Sequence, residues 1–370
     1  MLRRRLTVSI SRSTWPSGSS QPQRFKPYLG TRRIDVDQAL LCMALVNCPP
    51  ALQGFDLGDT WAWLRYRPAL ADLSALRLRQ EWTDIDPHQK TVLSDEMGVG
   101  FVSHFLASRL DFRYFGNTAY VANVLMPNVF WFRRRARRGP AKMPDFVAIG
   151  GDGRANAVEC KGSQTSFQVL RAAMEKGRLQ KSNLGIPAAI RGAQIVGGLF
   201  LPQWEDKDTA RLHFIDPPLK MTGMLADVEP HLFTMAVAQI FLAKHLSLLG
   251  IADLALRIAG TPTLELHGLS LGEELDRIQN TVDASGMLVR RVQHFALDTD
   301  PRGFAGRSLA ITVTATFPAS TISRLRERGA VFRYLSGLAT NRAAAWRFGS
   351  EENQTFAMSP LGLRLQLSLG

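Results

Sequence analysis

Two short runs in this chain carry residue types that can do chemistry together. They are Pro144-Asp145 and, fourteen residues beyond that aspartate, Glu159-Cys160-Lys161. Between them, Gly150-Gly151-Asp152-Gly153 separates two stretches that read as strands, 144–149 and 156–161. A hairpin centred on Asp152 puts Asp145 and Glu159 directly opposite each other, each seven positions from the turn. Moving the centre by half a residue loses that opposition. Side chains alternate along a strand, so Glu159 and Lys161 share one face while Val158 and Cys160 point to the other. Two carboxylates and one ammonium are then gathered at one end of a sheet. Two carboxylates and a backbone carbonyl are hard oxygen ligands suited to Mg²⁺, which keeps several of its waters. Such a metal activates water and offsets charge on a phosphate, and a nearby lysine stabilises an anionic transition state. The chemistry that fits is phosphodiester hydrolysis.

The elements that must position these residues can be read along the chain. The acids Asp95 and Glu96 follow Ser94, a natural N-cap, and the apolar stripe Phe101, Val102, Phe105 and Leu106 predicts a helix ending near Leu110. A strand region over about 111–130 comes next, then a basic loop and the hairpin. A helix is predicted over about 166–181, strands over 193–201 and 210–215, and a long apolar helix over 231–250. This α-β-β-β-α-β order predicts an α/β fold with a mixed central sheet flanked by helices. Upstream, an apolar run from Ala39 to Val46 and a leucine-rich stretch over 68–78 predict an N-terminal helical region. Residues 1–30, rich in Ser, Pro and Arg, read as a basic disordered arm. Downstream, 309–317 and 361–369 alternate cleanly between apolar and polar residues, 287–297 forms another candidate strand, and 321–328 a basic helix. The expected division is 1–30 arm, 31–93 helical region, 94–254 chemical domain and 255–370 a C-terminal α+β domain of unassigned role.

Composition narrows the function classes. The chain of 370 residues has a formal net charge of +13 and a pI near 10.2, which favours polyanionic partners, nucleic acid first. One basic cluster, Arg133, Arg134, Arg135, Arg137, Arg138 and Lys142, immediately precedes Pro144-Asp145. Another, Arg171, Lys176, Arg178 and Lys181, lies on the helix after the hairpin. Both suit contacts to a phosphate backbone, although a solvated surface is the bland reading of each. Cys42, Cys48 and Cys160 show no metal-type spacing and no disulfide framework, which points to a reducing, cytoplasmic compartment. The 231–250 stretch is interrupted by Gln239, Lys244 and His245, so a buried helix is expected rather than a membrane span. The histidines are isolated, and neither a Walker loop nor a GxSxG elbow is present.

Pro144-Asp145 followed by Glu159-Cys160-Lys161 resembles the PD-(D/E)xK motif of the restriction-endonuclease-like nuclease superfamily, and the element order over about 94–216 resembles that family's core. The resemblance implies a restriction-endonuclease-like fold with Asp145, Glu159 and the Cys160 carbonyl as Mg²⁺ ligands and Lys161 as the catalytic lysine; Mn²⁺ is expected to substitute. It also implies an acid on the preceding helix, for which Glu96 is placed, and in some members a glutamine on the following helix, for which Gln180 is the nearest candidate. Residue 184 is leucine where a tyrosine commonly follows, and Gln164 and Gln168 are weaker alternatives. The implied activity is a Mg²⁺-dependent DNA endonuclease, with restriction or phage defence as the expected setting. RNA as a substrate, a transposase-type or repair nuclease working with a partner, and a non-catalytic nucleic-acid-binding subunit remain open. A homodimer or a protein partner through the C-terminal region is also expected; a membrane partner is not.

Overall fold

The computed structural model describes residues 2–17, 21–48, 66–127, 143–181, 184, 186, 188–216, 229–276, 285–298, 307–341, 343–351 and 353–369. Its strands form two sheets. The first contains β1 (Arg3–Ile10), β2 (Gly30–Asp35), β3 (Phe112–Asn117), β4 (Phe146–Gly150), β5 (Ala155–Ser163), β6 (Arg191–Phe200) and β7 (Arg211–Ile215). Their order across the sheet is β2-β1-β7-β6-β5-β4-β3. The β5–β6 and β1–β7 pairs are parallel and the remaining pairs antiparallel, so the sheet is mixed. A parallel pair needs a long crossover, here supplied for β5–β6 by a helix.

Three helices matter most to this sheet: α1 (Val36–Asn47), α2 (Pro87–Leu110) and α3 (Phe167–Lys181). Two neighbouring glycines of β6 reveal how α2 and α3 are disposed. A Cβ on Gly197 would meet Val102 of α2, whereas a Cβ on Gly198 would meet Met174 and Leu170 of α3. Successive strand residues face opposite ways, so α2 and α3 cover opposite faces. The α2 face belongs to the large core, with Met97, Phe101 and Val102 buried. The α3 face holds a small apolar cluster of Leu170, Met174, Val196, Phe200 and Ile215.

The second sheet is wholly antiparallel, in the order β10-β11-β12-β9-β8. It is built from β8 (Met287–Asp298), β9 (Arg307–Pro318), β10 (Arg347–Glu351), β11 (Gln354–Met358) and β12 (Arg364–Leu369). The alternation read from the sequence is realised here: Ile311, Val313, Ala315 and Phe317 are buried, as are Leu363, Leu365 and Leu367. Helix α4 (Pro230–Leu248) runs from one sheet's core into the other's. Each of its three polar interruptions has an internal partner. Gln239 donates to the Ile258 and Thr261 carbonyls, Lys244 Nζ donates to the Val46 carbonyl at 2.6 Å, and His245 Nε2 lies 2.6 Å from Ser359 Oγ. Buried polar groups need such partners. Among the described residues, no helix is long and apolar enough to cross a membrane.

Several sequence-based expectations require correction. Arg3–Ile10, assigned to a disordered arm, is a strand inside the first sheet, with Leu6 and Val8 buried. The period-two pattern was present but masked by arginines, one of which, Arg4, is itself buried and bonded to Ala71 and Asp72. Trp15 and Phe25 are also buried, and Phe25 packs against Phe105 and Phe214. The helical region over 31–93 is only partly helical. It opens with β2, and the stretch around Leu70 makes isolated bridges, Leu70 to Leu78 and Ala75 to Arg5 of β1, instead of a helix. Ser94 is not an N-cap. Asp86 accepts from the His88 N–H and Pro87 occupies the first turn, so α2 begins earlier, and Ser94 Oγ bonds back to the Lys90 carbonyl. The strand expected over 111–130 stops at Asn117, and of the basic helix expected over 321–328 only Ala319–Ser323 forms, overlapping its start. The boundary near 255 does not separate two cores, because Phe241 of α4 packs 5.8 Å from Trp346 and one apolar cluster spans both parts.

Candidate metal-binding site

The hairpin register places the candidate residues first. Phe146 pairs with Val158, Val147 with Ala157, Ala148 with Asn156 and Ile149 with Ala155. Each pair is symmetric about Asp152, so Asp145, one step before β4, stands opposite Glu159 as the sequence predicts. Gly153 has φ +76° in the turn, a conformation that a residue with a Cβ rarely adopts. The Asp145 carbonyl accepts the Thr118 N–H at 3.2 Å, which ties this end of the hairpin to the segment after β3.

Hydrogen bonds then lock the carboxylates together. The Asp145 N–H donates to Glu159 Oε2 at 3.2 Å, and the Cys160 N–H donates to Asp145 Oδ2 at 2.8 Å. Lys161 Nζ donates to Glu159 Oε1. The Glu159 side chain is fully enclosed, at 0% exposure, while that of Lys161 retains 22%. Cys160 is buried on the opposite side, within the large core.

Electrostatics follow from this enclosure. Burial, and then the neighbouring Asp145 charge, push the Glu159 carboxyl well above the ordinary glutamate range; Lys161 opposes the shift. Burial also raises Asp145, against the Cys160 N–H and the Lys161 charge. For Lys161, burial disfavours the ammonium, but Glu159 outweighs it and the net shift is upward. Ionised together, the two buried carboxylates would outnumber Lys161 in charge, and a bound cation would favour that state.

Close packing holds β5 between the two helices. A Cβ on Gly98 of α2 would come within 2.6 Å of the Lys161 carbonyl, and one on Gly162 within 1.7 Å of the Ser94 carbonyl. On the other face, a Cβ on Gly177 of α3 would lie 3.0 Å from Glu159 Cγ and 3.4 Å from Lys161 Cε. Glycine at these positions lets both helices approach the strand that carries the charged residues.

The phase of α2 decides which of its acids approaches the cluster. Ser94 and Gly98 face β5. At 3.6 residues per turn, Asp95 lies roughly 100° from Ser94 and Glu96 roughly 200°. Asp95 is accordingly the acid in electrostatic contact: burial raises its carboxyl, Lys161 lowers it, and its charge acts on Asp145. The sequence points to Glu96, and sequence reasoning missed Asp95. The available signal was the helix face marked by Ser94, Gly98 and Val102, which becomes readable only once β5 is known to pack there.

The remaining candidates fall as follows. Gln180 and Lys181 lie in the last turn of α3, and their side chains are outside the described residues. Arg133, Arg134, Arg135, Arg137, Arg138 and Lys142 are also outside them. Arg171, Lys176 and Arg178 are exposed on α3, the helix that covers the Glu159–Lys161 face, and Arg178 pairs with Glu175 at 3.4 Å. Gln164 is buried in structural bonds to the Lys90 carbonyl and Gln203.

Among the described residues, no group of three or more His, Cys, Asp or Glu side chains could hold a metal alone. The donor set is two carboxylates with unused lone pairs, plus backbone carbonyl and solvent. It fits Mg²⁺, which is commonly held by one or two carboxylates and completes its shell with water and substrate oxygens. Compared with known proteins, the chain matches no family model, no curated sequence and no solved structure.

Proposed function

We propose that this chain is a Mg²⁺-dependent nuclease with a restriction-endonuclease-like core, hydrolysing phosphodiester bonds in DNA. The observation that carries the reading is the opposition of Asp145 and Glu159 across the hairpin, with Lys161 bonded to Glu159. Asp145 and Glu159 would hold the metal, with the Cys160 carbonyl as a third oxygen donor. When bound, the cation supplies Lewis-acid polarisation of the phosphate and a lowered pKa for water. Lys161 keeps its proton and offers an ammonium to the charge that develops on phosphate oxygens. Hydrogen bonds from the Cys160 and Asp145 N–H groups orient the two carboxylates before substrate arrives. Arg171, Lys176 and Arg178, exposed on α3, would supply contacts to the DNA backbone.

One observation favours a second reading. Both carboxylates are already bonded to backbone N–H groups, and Lys161 closes over Glu159, as in a purely structural ion pair. A non-catalytic nucleic-acid-binding subunit would look the same. The two are separated by incubating supercoiled, linear and single-stranded DNA with wild type, Asp145→Ala and Lys161→Ala in Mg²⁺ or Mn²⁺. Metal-dependent cleavage lost in both variants is expected; equal residual nicking in all three proteins overturns the catalytic reading.

A further inference from the structure

A second cleft lies away from the Asp145 cluster, between β1, β2, the C-terminal half of α2 and β10. Its volume is about 640 Å³, within the range of about 300–1,000 Å³ typical of small-molecule sites. Along α2, the nine-residue step from Asp95 to His104, the nearest residue of that helix lining the cleft, spans roughly 14 Å, so the two sites are distinct.

The cleft's rim is cationic. Arg3, Arg32, Arg33 and Arg109 line it, opposed by one carboxylate, Asp35. That carboxylate is already engaged, accepting the Gln38 N–H at 3.2 Å and the Ser350 hydroxyl at 2.7 Å. Arg33 and Arg109 are exposed and have no carboxylate partner among the described residues. The Arg109 guanidinium instead sits over the Tyr28 ring, 5.5 Å from its centroid.

The walls and floor add a different chemistry. Trp346 and Phe348 are parallel to within 1°, with centroids 5.6 Å apart, and both line the cleft. Gln38 Nε2 donates to Ser350 Oγ at 3.0 Å, and Gln38 Oε1 lies 3.4 Å from His104 Nε2. With Nε2 turned toward that carbonyl oxygen, His104 Nδ1 is left as an acceptor. This atom is buried and without a partner among the described residues, on a side chain that is only 4% exposed.

Arginines on an edge strand can serve merely to block pairing with another sheet. Charge alone suffices for that task and needs no aromatic wall, no hydrogen-bonded floor and no cleft. Guanidinium groups bind phosphate as donors of charge-assisted hydrogen bonds, and flat aromatic surfaces take a planar base. We propose that this cleft binds a nucleoside phosphate, carried free or at the end of a nucleic-acid strand.

The test is calorimetric titration of the full chain with each nucleoside 5′-monophosphate, a 5′-phosphorylated trinucleotide, adenosine and inorganic phosphate. At least one monophosphate or the trinucleotide should bind tenfold or more tightly than both adenosine and inorganic phosphate. An Arg33→Ala/Arg109→Ala double variant should lose tenfold or more of that affinity. Arg324→Ala/Arg328→Ala, which removes the same charge elsewhere, should lose less than threefold. Circular dichroism checks that each variant is folded. A trinucleotide binding tenfold above the monophosphates identifies a strand end as the ligand; equal affinities identify the free nucleotide. The proposal is overturned if inorganic phosphate binds as tightly as the nucleotides, if nothing binds, or if the Arg33/Arg109 variant binds like wild type. Cleavage is read in Asp145→Ala and nucleotide affinity in Arg33→Ala/Arg109→Ala, so failure of the catalytic reading and failure of this site are separate outcomes.

Discussion

The two faces of the seven-stranded sheet are covered by helices of similar position but unlike chemistry. On one, α2 brings Met97, Phe101 and Val102 into a large continuous core. On the other, α3 contributes Leu170 and Met174 to a cluster of five buried residues and leaves the end of β5 to Glu159 and Lys161. A charged group inside a thick apolar layer costs several kcal/mol when unpaired, so a polar site needs a face where packing is thin and solvent is near. The same strand serves both needs because its side chains alternate: Cys160 joins the thick layer while its two neighbours face the thin one. Stability is concentrated on one side and chemistry on the other.

That division can be broken by mutation. Phe101→Ala on the α2 face should cost about 3–5 kcal/mol, measured by urea unfolding. Lys161→Ala should lower metal-dependent cleavage by about 10²–10³-fold, a loss on the scale of one transition-state donor. Its unfolding midpoint should stay much closer to wild type than that of Phe101→Ala, since Glu159, already biased toward its protonated form, can take up a proton. If Lys161→Ala instead unfolds the protein as readily as Phe101→Ala, the pair is structural and the contrast between the faces collapses. Met174→Ala, within the small cluster, should cost about 2 kcal/mol, near the lower end for buried methionine, because fewer neighbours are there to lose.

A pH series sharpens the picture of the interior. Lys244 is enclosed with a carbonyl partner, and burial lowers its ammonium to about 7. Between pH 7 and its ordinary value of 10.5 the unfolded chain therefore binds more protons at this site than the folded one. This group makes stability rise as pH climbs through that window, while below pH 7 the full cost of burying the charge is present. Lys244→Met should flatten this part of the stability–pH curve, as read by unfolding at pH 6.5, 8 and 9.5. A curve of unchanged slope would mean that the amine does not titrate in the fold. The smallest effect is expected at the surface: Arg178→Ala, which breaks a half-exposed pair with Glu175, should change stability by about 0.5 kcal/mol or less. It should, however, reduce the salt dependence of DNA affinity by about one unit of slope if α3 lies along the backbone.

Local sequence alone was enough to determine β4, its turn and β5, and with them the opposition of Asp145 and Glu159. A tight hairpin has one register once its turn is placed, and strand alternation then assigns every side chain to a face. The same holds for β9 and β12, whose period of two is uninterrupted, and for α4, whose apolar length leaves few alternatives. Tertiary structure decided what depends on partners distant in sequence. Arg3–Ile10 became a strand because β2 and β7 flank it, a pairing that no local pattern in an arginine-rich segment announces. The stretch around Leu70 was drawn out of a helix by bridges to Leu78 and β1. Asp95 rather than Glu96 acts electrostatically on the charged cluster, from an exposed position, because the glycine contacts of α2 with β5 set the helix phase, and one residue of a helix turns a carboxylate by about 100°.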